Sequence, residues 1–183
     1  DYEQVFEKYP GVCGGFVWEF CDHAVDMGKT EDGRRKYFYG GDFGEFPHDG
    51  NFCMDGLVYP DRRPHTGFQE YKNVIRPIRA ALKEIQDGGR CVSLILKNRT
   101  DYTDLKDLAV IRWEVSCGKE TVCFGTLPQM EAAPRQSVEA VLKLPELPDK
   151  KTVLTLIYIQ KEDGALTGAG HVLGHDQIVL KEG

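Results

Sequence analysis

Among the carboxylates in the first third of the chain, five are candidates for acid chemistry: Glu19, Asp22, Asp42, Asp49 and Asp55. A tryptophan, Trp18, stands directly before the first of them. This combination suits carbohydrate. An indole face packs on the apolar C–H face of a sugar ring, and carboxylates accept hydrogen bonds from its hydroxyls. Glycosidases of the common kind use two carboxylates, about 5–5.5 Å apart in retaining enzymes and about 6.5–9.5 Å apart in inverting ones. No spacing among the five singles out such a pair, and Asp in loops also serves as a turn former. Trp18 fits a sugar platform or the core of a barrel, and periodicity does not separate the two.

A second candidate lies in Phe52-Cys53-Met54-Asp55-Gly56. An acid three residues after a loop carbonyl can complete an oxygen-ligand site, because hard cations take backbone and carboxylate oxygens. The same residues also fit a capped turn. His23, His48 and His65 share no metal-ligand spacing and read as surface or hydrogen-bonded histidines. The six cysteines, at 13, 21, 53, 91, 117 and 123, form no C-x-x-C pair and no zinc-type spacing. They read as reduced thiols of a cytoplasmic protein. Asn98-Arg99-Thr100 matches a glycosylation sequon, a three-residue pattern that arises readily by chance.

These residues must be held by something. Tyr2, Val5, Phe6 and Tyr9 fall at helical spacing and Pro10-Gly11 stops the pattern, so residues 2–9 read as the end of a helix. Gly14-Gly15 lead into Phe16-Val17-Trp18-Glu19-Phe20, an apolar run expected to be a strand buried on both faces. Residues 21–64 then read as one long loop. Its part YGGDFGEFPHDGNFCMDGLVYPDRRPH, residues 39–65, has neither the 2-residue nor the 3.6-residue period. Loops longer than about 12–15 residues are functional or disordered, and disordered segments are poor in aromatics. With Tyr39, Phe43, Phe46, Phe52 and Tyr59, this loop is expected to pack. Residues 65–76 return to helix. One strand, one long loop and one helix make a βα repeat, and in a (β/α)8 barrel the loops after the strands build the active site.

Beyond Pro77 the pattern changes. Strand-like segments recur at 90–97, 109–117, 121–126, 137–144, 152–160 and 170–181. Ile111, Trp113 and Val115 alternate with Arg112 and Glu114, as do Val138, Ala140, Leu142 and Leu144 with their neighbours. Residues 78–86 have helical propensity but can serve as a first strand, the reading preferred here. Short strands at even spacing point to an immunoglobulin-type β-sandwich. The chain is thus expected to hold two domains, 1–77 and 78–183.

A net charge of -6 argues against a general nucleic-acid surface, which needs a basic face. No apolar run approaches the roughly 18–20 residues needed to cross a bilayer, so no membrane association is expected. Asp1-Tyr2-Glu3 opens on acids, without the basic and apolar regions of a signal peptide.

GGFVWEF (14–20), the 39–65 segment and EYKNVIRPI (70–78) resemble the end of the catalytic barrel in glycoside hydrolase family 2 β-galactosidases of the lac type. ELPDKKTVLTLIYIQ and AGHVLGHDQIVL are similar to the immunoglobulin-like domain that follows the barrel there. The resemblance implies that residues 1–77 are the C-terminal piece of a (β/α)8 barrel and residues 78–183 an all-β sandwich. It implies that Trp18 forms a wall of the galactose pocket. It also implies that Phe52, through its backbone carbonyl, and Asp55, through its side chain, ligate a sodium ion. Well-known members carry Asn at the position of Asp55, so this chain departs from their pattern there. The catalytic glutamates and the principal magnesium ligands of the family lie upstream, so no catalytic residue is expected in this chain. The implied parent is a homo-oligomeric retaining β-galactosidase acting on β-galactosides, of which this segment alone is inactive. Two alternatives stand beside it: another family 2 specificity, β-glucuronidase or β-mannosidase, and a non-catalytic carbohydrate-binding or interaction module.

Overall fold

The computed structural model describes residues 2–182, and the chain divides into two compact units at Ile75/Arg76. Strands predominate and helices are few.

The first unit opens with α1 (Tyr2–Lys8), stopped at Pro10-Gly11 as its sequence requires. Residues 16–20 were expected to form a buried strand, and here the structure differs. They run without a ladder partner, and Phe16 and Trp18 are 104% and 77% exposed. A strand exists only through its neighbours. Among the described residues the one pairing nearby is a parallel bridge between Cys21 and Val58. The segment read as one long loop also contains a hairpin, β1 (Val25–Lys29) and β2 (Arg35–Phe38). Its turn closes through Thr30 N–H to Arg34 O at 2.8 Å and Gly33 N–H to Thr30 O at 2.9 Å. Gly33 sits there at φ 82°, a conformation that favours glycine. α2 (Thr66–Val74) follows, and Phe68 meets Phe20 edge to face at 6.3 Å. Among the described residues of this unit only Asp22 and Val58 are buried. It has almost no apolar core, and backbone hydrogen bonds carry its order.

The second unit is built the other way. β3 (Ile78–Gln86), β4 (Cys91–Asn98) and β7 (Ser137–Lys143) form one antiparallel sheet in the order β3-β4-β7. β5 (Ala109–Cys117), β6 (Glu120–Thr126), β8 (Thr152–Gln160) and β9 (Val172–Lys181) form another in the order β6-β5-β8-β9. A short helix, α3 (Leu105–Leu108), leads into β5, with the Asp104 carboxylate accepting from Lys106 N–H. Alternation decides which side chains face inward. Val92, Leu94 and Leu96 from β4 join Ala140 and Leu142 from β7 and Leu154, Leu156 and Tyr158 from β8 in one buried cluster. Residues 78–86 are strand, buried at Ile78 and exposed from Ala81 to Glu84, as suits an edge. The register of β3, of β6 and of β9 is broken by irregularities at Leu82/Glu84, at Val115/Ser116 on the β5 side of the β5–β6 pair, and at Thr152/Val153 and Tyr158/Ile159 on the β8 side of the β8–β9 pair. The β4–β7 pairing runs without a break from Cys91–Lys143 to Lys97–Ser137.

Two polar side chains of this unit, the buried Asn98 and the half-buried Asp176, are fully engaged. Asn98 donates from Nδ2 to the carbonyls of Thr103 and Ala132, both at 2.9 Å, and its Oδ1 accepts from Thr100. An amide so buried and occupied is no acceptor for a glycan, whatever the sequon suggests. Asp176 on β9 accepts from the Arg76 guanidinium, from Ala80 N–H at 2.8 Å and from the Tyr158 hydroxyl at 2.6 Å. Burial, followed by the charge of Asp176, raises the Tyr158 hydroxyl far above the ordinary tyrosine range, so Tyr158 stays a donor. Asp176→Ala leaves a buried guanidinium without that acceptor and is expected to destabilise this unit by about 3–5 kcal/mol. Urea denaturation followed by the fluorescence of Trp113 measures the loss, and Asp176→Asn should cost clearly less.

Candidate functional site

The residues singled out in the sequence belong to two backbone segments of the first unit, 18–23 and 52–58, which lie side by side. Leu57 N–H donates to Glu19 O and Phe20 O, and Val58 N–H to Phe20 O, each at 3.0 Å. Asp22 N–H donates to Val58 O at 3.0 Å and His23 N–H to Cys53 O at 2.9 Å. Glycine is required at position 56. A Cβ there would sit 2.3 Å from Asp22 N and 2.4 Å from Cys21 C, so only a residue without a side chain allows the two segments this close.

The Asp22 carboxylate, 1% exposed, lies under this contact. One oxygen accepts from Gly56 N–H at 2.8 Å, and the other lies 2.8 Å from His65 Nε2. His65 is held in turn: its N–H donates to Leu57 O, its ring stacks on Tyr59 at 3.8 Å, and the Arg63 guanidinium lies over the other ring of that stack. Nothing in the sequence marks Asp22 and His65 as partners, since 43 positions separate them. Reading His65 as a hydrogen-bonded histidine agrees with its place here.

The other acids are engaged separately. Glu19 pairs with His23 at 3.1 Å, and Asp42 accepts from Tyr39 N–H at 2.8 Å as a turn former. Asp49 supplies its carbonyl to Phe52 N–H at 3.2 Å. Glu45, absent from the candidates, closes the 41–45 turn by accepting from Gly41 N–H at 2.6 Å and Phe43 N–H at 3.0 Å. The Gly41 amide above all, then the other turn amides, holds the Glu45 carboxyl below its ordinary value of 4.5. Aromatic pairs brace the same stretch, Phe38 with Phe43 at 5.3 Å and Phe46 with His48 at 6.5 Å. The unusual aromatic content of the loop is thus partly used within the loop itself.

Phe52 stands in the turn that Met54 N–H closes on Asn51 O at 2.9 Å, and Asp55 follows directly after it. The carbonyls on either side of Phe52, at Asn51 and Cys53, each accept a backbone hydrogen bond, and that of Phe52 accepts none among the described residues. The Asp55 carboxylate is exposed and likewise has no hydrogen-bond or ion-pair partner among them. An open carbonyl and an open carboxylate are hard oxygen donors, which fits a sodium ion. Two donors do not fill a coordination shell. Among the described residues no group of three or more His, Cys, Asp or Glu gathers as a metal site, so further ligands would have to come from elsewhere.

Residues 1–80 match the family described as "Glycosyl hydrolases family 2, TIM barrel domain", and residues 94–181 match "Beta-galactosidase, domain 4". Both matches are to domains of glycosyl hydrolases, the first of them of family 2. The chain's similarity is to β-galactosidases: 42% identity over 180 residues to that of Actinobacillus pleuropneumoniae, 38% over 184 residues to that of Arthrobacter sp. (strain B7), and 34% over 184 residues to that of Staphylococcus xylosus. Each alignment takes in 98% of this chain but only 17–18% of the relative.

Two outcomes are expected from this geometry. Gly56→Ala forces the two segments apart at a cost of about 3 kcal/mol or more, read as faster hydrogen exchange at the Leu57 and Val58 amides. Acidification releases the 41–45 turn. Because the folded-state value of Glu45 is lowered, its contribution is complete above 4.5 and is lost as pH falls through that lowered value. The amide proton shifts of Gly41 and Phe43 should move together over that window, and Glu45→Gln should abolish the transition.

Proposed function

We propose that this chain is a segment of a retaining β-galactosidase that hydrolyses terminal β-D-galactosides. The observation that carries the reading is a continuous match to β-galactosidases along 98% of the chain, with the barrel match preceding domain 4. On this reading residues 1–77 are the closing part of a (β/α)8 barrel and residues 78–183 an immunoglobulin-like sandwich. The nearly coreless first unit supports it: Phe16, Trp18 and Phe20 are the kind of apolar residues that earlier barrel strands would cover.

Trp18 then serves as a wall against the apolar face of galactose, and Phe52 and Asp55 supply two oxygens to a sodium ion beside it. The ion, when bound, offers a positive charge that sugar hydroxyls can approach. Asp55, where a well-known pattern has Asn, brings a formal negative charge to that position and strengthens its hold on a cation. Neither catalytic glutamate lies in this segment. In the parent, one would form the galactosyl ester while the other protonates the leaving oxygen and then activates water. Magnesium would be held mainly by residues upstream, and the parent would be a cytoplasmic homo-oligomer.

Retention follows from product analysis of the full-length parent by proton NMR on a nitrophenyl β-galactoside, with β-glucuronide and β-mannoside as competing specificities. The 183-residue chain alone should turn over none of them. Galactoside turnover by the purified chain, lost on changing Glu19 or Asp22, would overturn the assignment, and galactose binding by the isolated chain in calorimetry would favour a binding module instead. In the active parent, Trp18→Ala should lower kcat/KM by about 10–100-fold, the loss expected when a stacking platform is removed.

A further inference from the structure

The contact between the 18–23 and 52–58 segments centres on one peptide unit, Asp55–Gly56. Its carbonyl accepts from Glu19 N–H at 3.4 Å, and its N–H donates to the Asp22 carboxylate at 2.8 Å. Both polar ends of this single peptide are therefore taken by the segment that carries Trp18. The carbonyl contact is long and weak, while the amide contact is short and made to a buried carboxylate, so Asp22 dominates the pair. Asp22 is itself held at two further points: its second oxygen lies 2.8 Å from His65 Nε2, and its own N–H donates to Val58 O.

We propose that Asp22 is a positioning residue for cation binding: by clamping the Asp55–Gly56 peptide it holds the Asp55 carboxylate and the Phe52 carbonyl at a fixed place relative to Trp18. The proposal rests on the reading of Phe52 and Asp55 as sodium ligands. Asp22 touches neither the sugar nor the ion. Its role is to remove the freedom of the turn before the ion arrives, since a ligand set already held in place loses less entropy on binding. With the clamp gone the same two oxygens remain available, but binding must also order the turn. The effect therefore falls on the sodium concentration required and is reversed by adding sodium.

The test uses the full-length parent, titrated with sodium chloride against choline chloride at constant ionic strength. Two readouts are followed: galactosidase activity, and sodium-23 NMR line broadening by the substrate-free protein. Asp22→Ala should raise the half-saturating sodium concentration by about tenfold, the worth of one hydrogen bond to a charged group, in both readouts. Activity should return towards the wild-type level at high sodium. Asp22→Asn keeps an acceptor for Gly56 N–H and should move the midpoint by only about threefold. His65→Phe, which frees the second oxygen of Asp22, should move it in the same direction. If Asp22→Ala does not fold, the Asn and Phe variants carry the comparison. A midpoint that stays at the wild-type value in the folded variants, with activity lowered equally at all sodium concentrations, overturns the proposal and leaves Asp22 a purely structural residue. Wild-type parent that hydrolyses galactosides without any response to sodium overturns it through its premise, and wild-type parent with no galactosidase activity overturns the functional reading itself.

Discussion

Burying a carboxylate in a unit with almost no apolar core is costly unless every oxygen finds a donor, and the first unit is arranged around meeting that demand at Asp22. Gly56 N–H and His65 satisfy its two oxygens, and each brings a distant part of the chain to the 18–23 segment. His65 stands immediately before α2, so the same carboxylate fixes both the middle of the long loop and the point where the chain re-enters helix. The bare Cα of Gly56 lets the backbone approach, the parallel contact of Cys21 with Val58 extends it, and the Tyr59–His65 stack closes it from outside. Removing this one group would leave the loop with backbone hydrogen bonds but nothing to set their origin.

The second unit solves the same problem with apolar area. Its inward-facing leucines, isoleucines and valines supply a non-directional stabilisation that tolerates small shifts in position. The Asp176 cluster adds direction at one end, joining Arg76 at the start of the unit to β8 and β9. The two units thus divide two kinds of order. One is held by a few directional contacts suited to positioning oxygens, the other by a packed interior suited to serving as a scaffold.

Legibility in the sequence followed that division. Period-2 alternation marked β5 and β7 because burial on one face writes itself into every second residue, whereas residues 78–86 are strand without any such alternation in their burial. The aromatic content of 39–65 signalled a loop that packs, yet Phe43, Phe46 and Phe52 are exposed and hydrogen bonds order the stretch instead; the hairpin at 25–38 escaped notice, since its exposed strands carry no apolar alternation. The apolar run 16–20 misled, because hydrophobicity reports a preference for burial and cannot supply the neighbouring strands that burial requires. The clamp itself was illegible. Asp22 and His65 were each visible as residues, but a pairing across 43 positions leaves no periodic trace, and the need for glycine at 56 shows only when the backbone it touches is known.

The interrupted registers of the outer strands have a consequence for how copies of this chain meet. The rims of the two sheets are β3, β7, β6 and β9, and each presents a row of main-chain groups that another chain could extend into fibrillar stacks. In three of the four, the pairing with the inner neighbour is broken by a bulge or irregularity, which increases local twist and spoils the flat template that stacking needs. β7 alone is paired to its neighbour without interruption, and it breaks up its rim with the charges of Glu139 and Lys143. Growth by adding strands is therefore discouraged at each of these four rims.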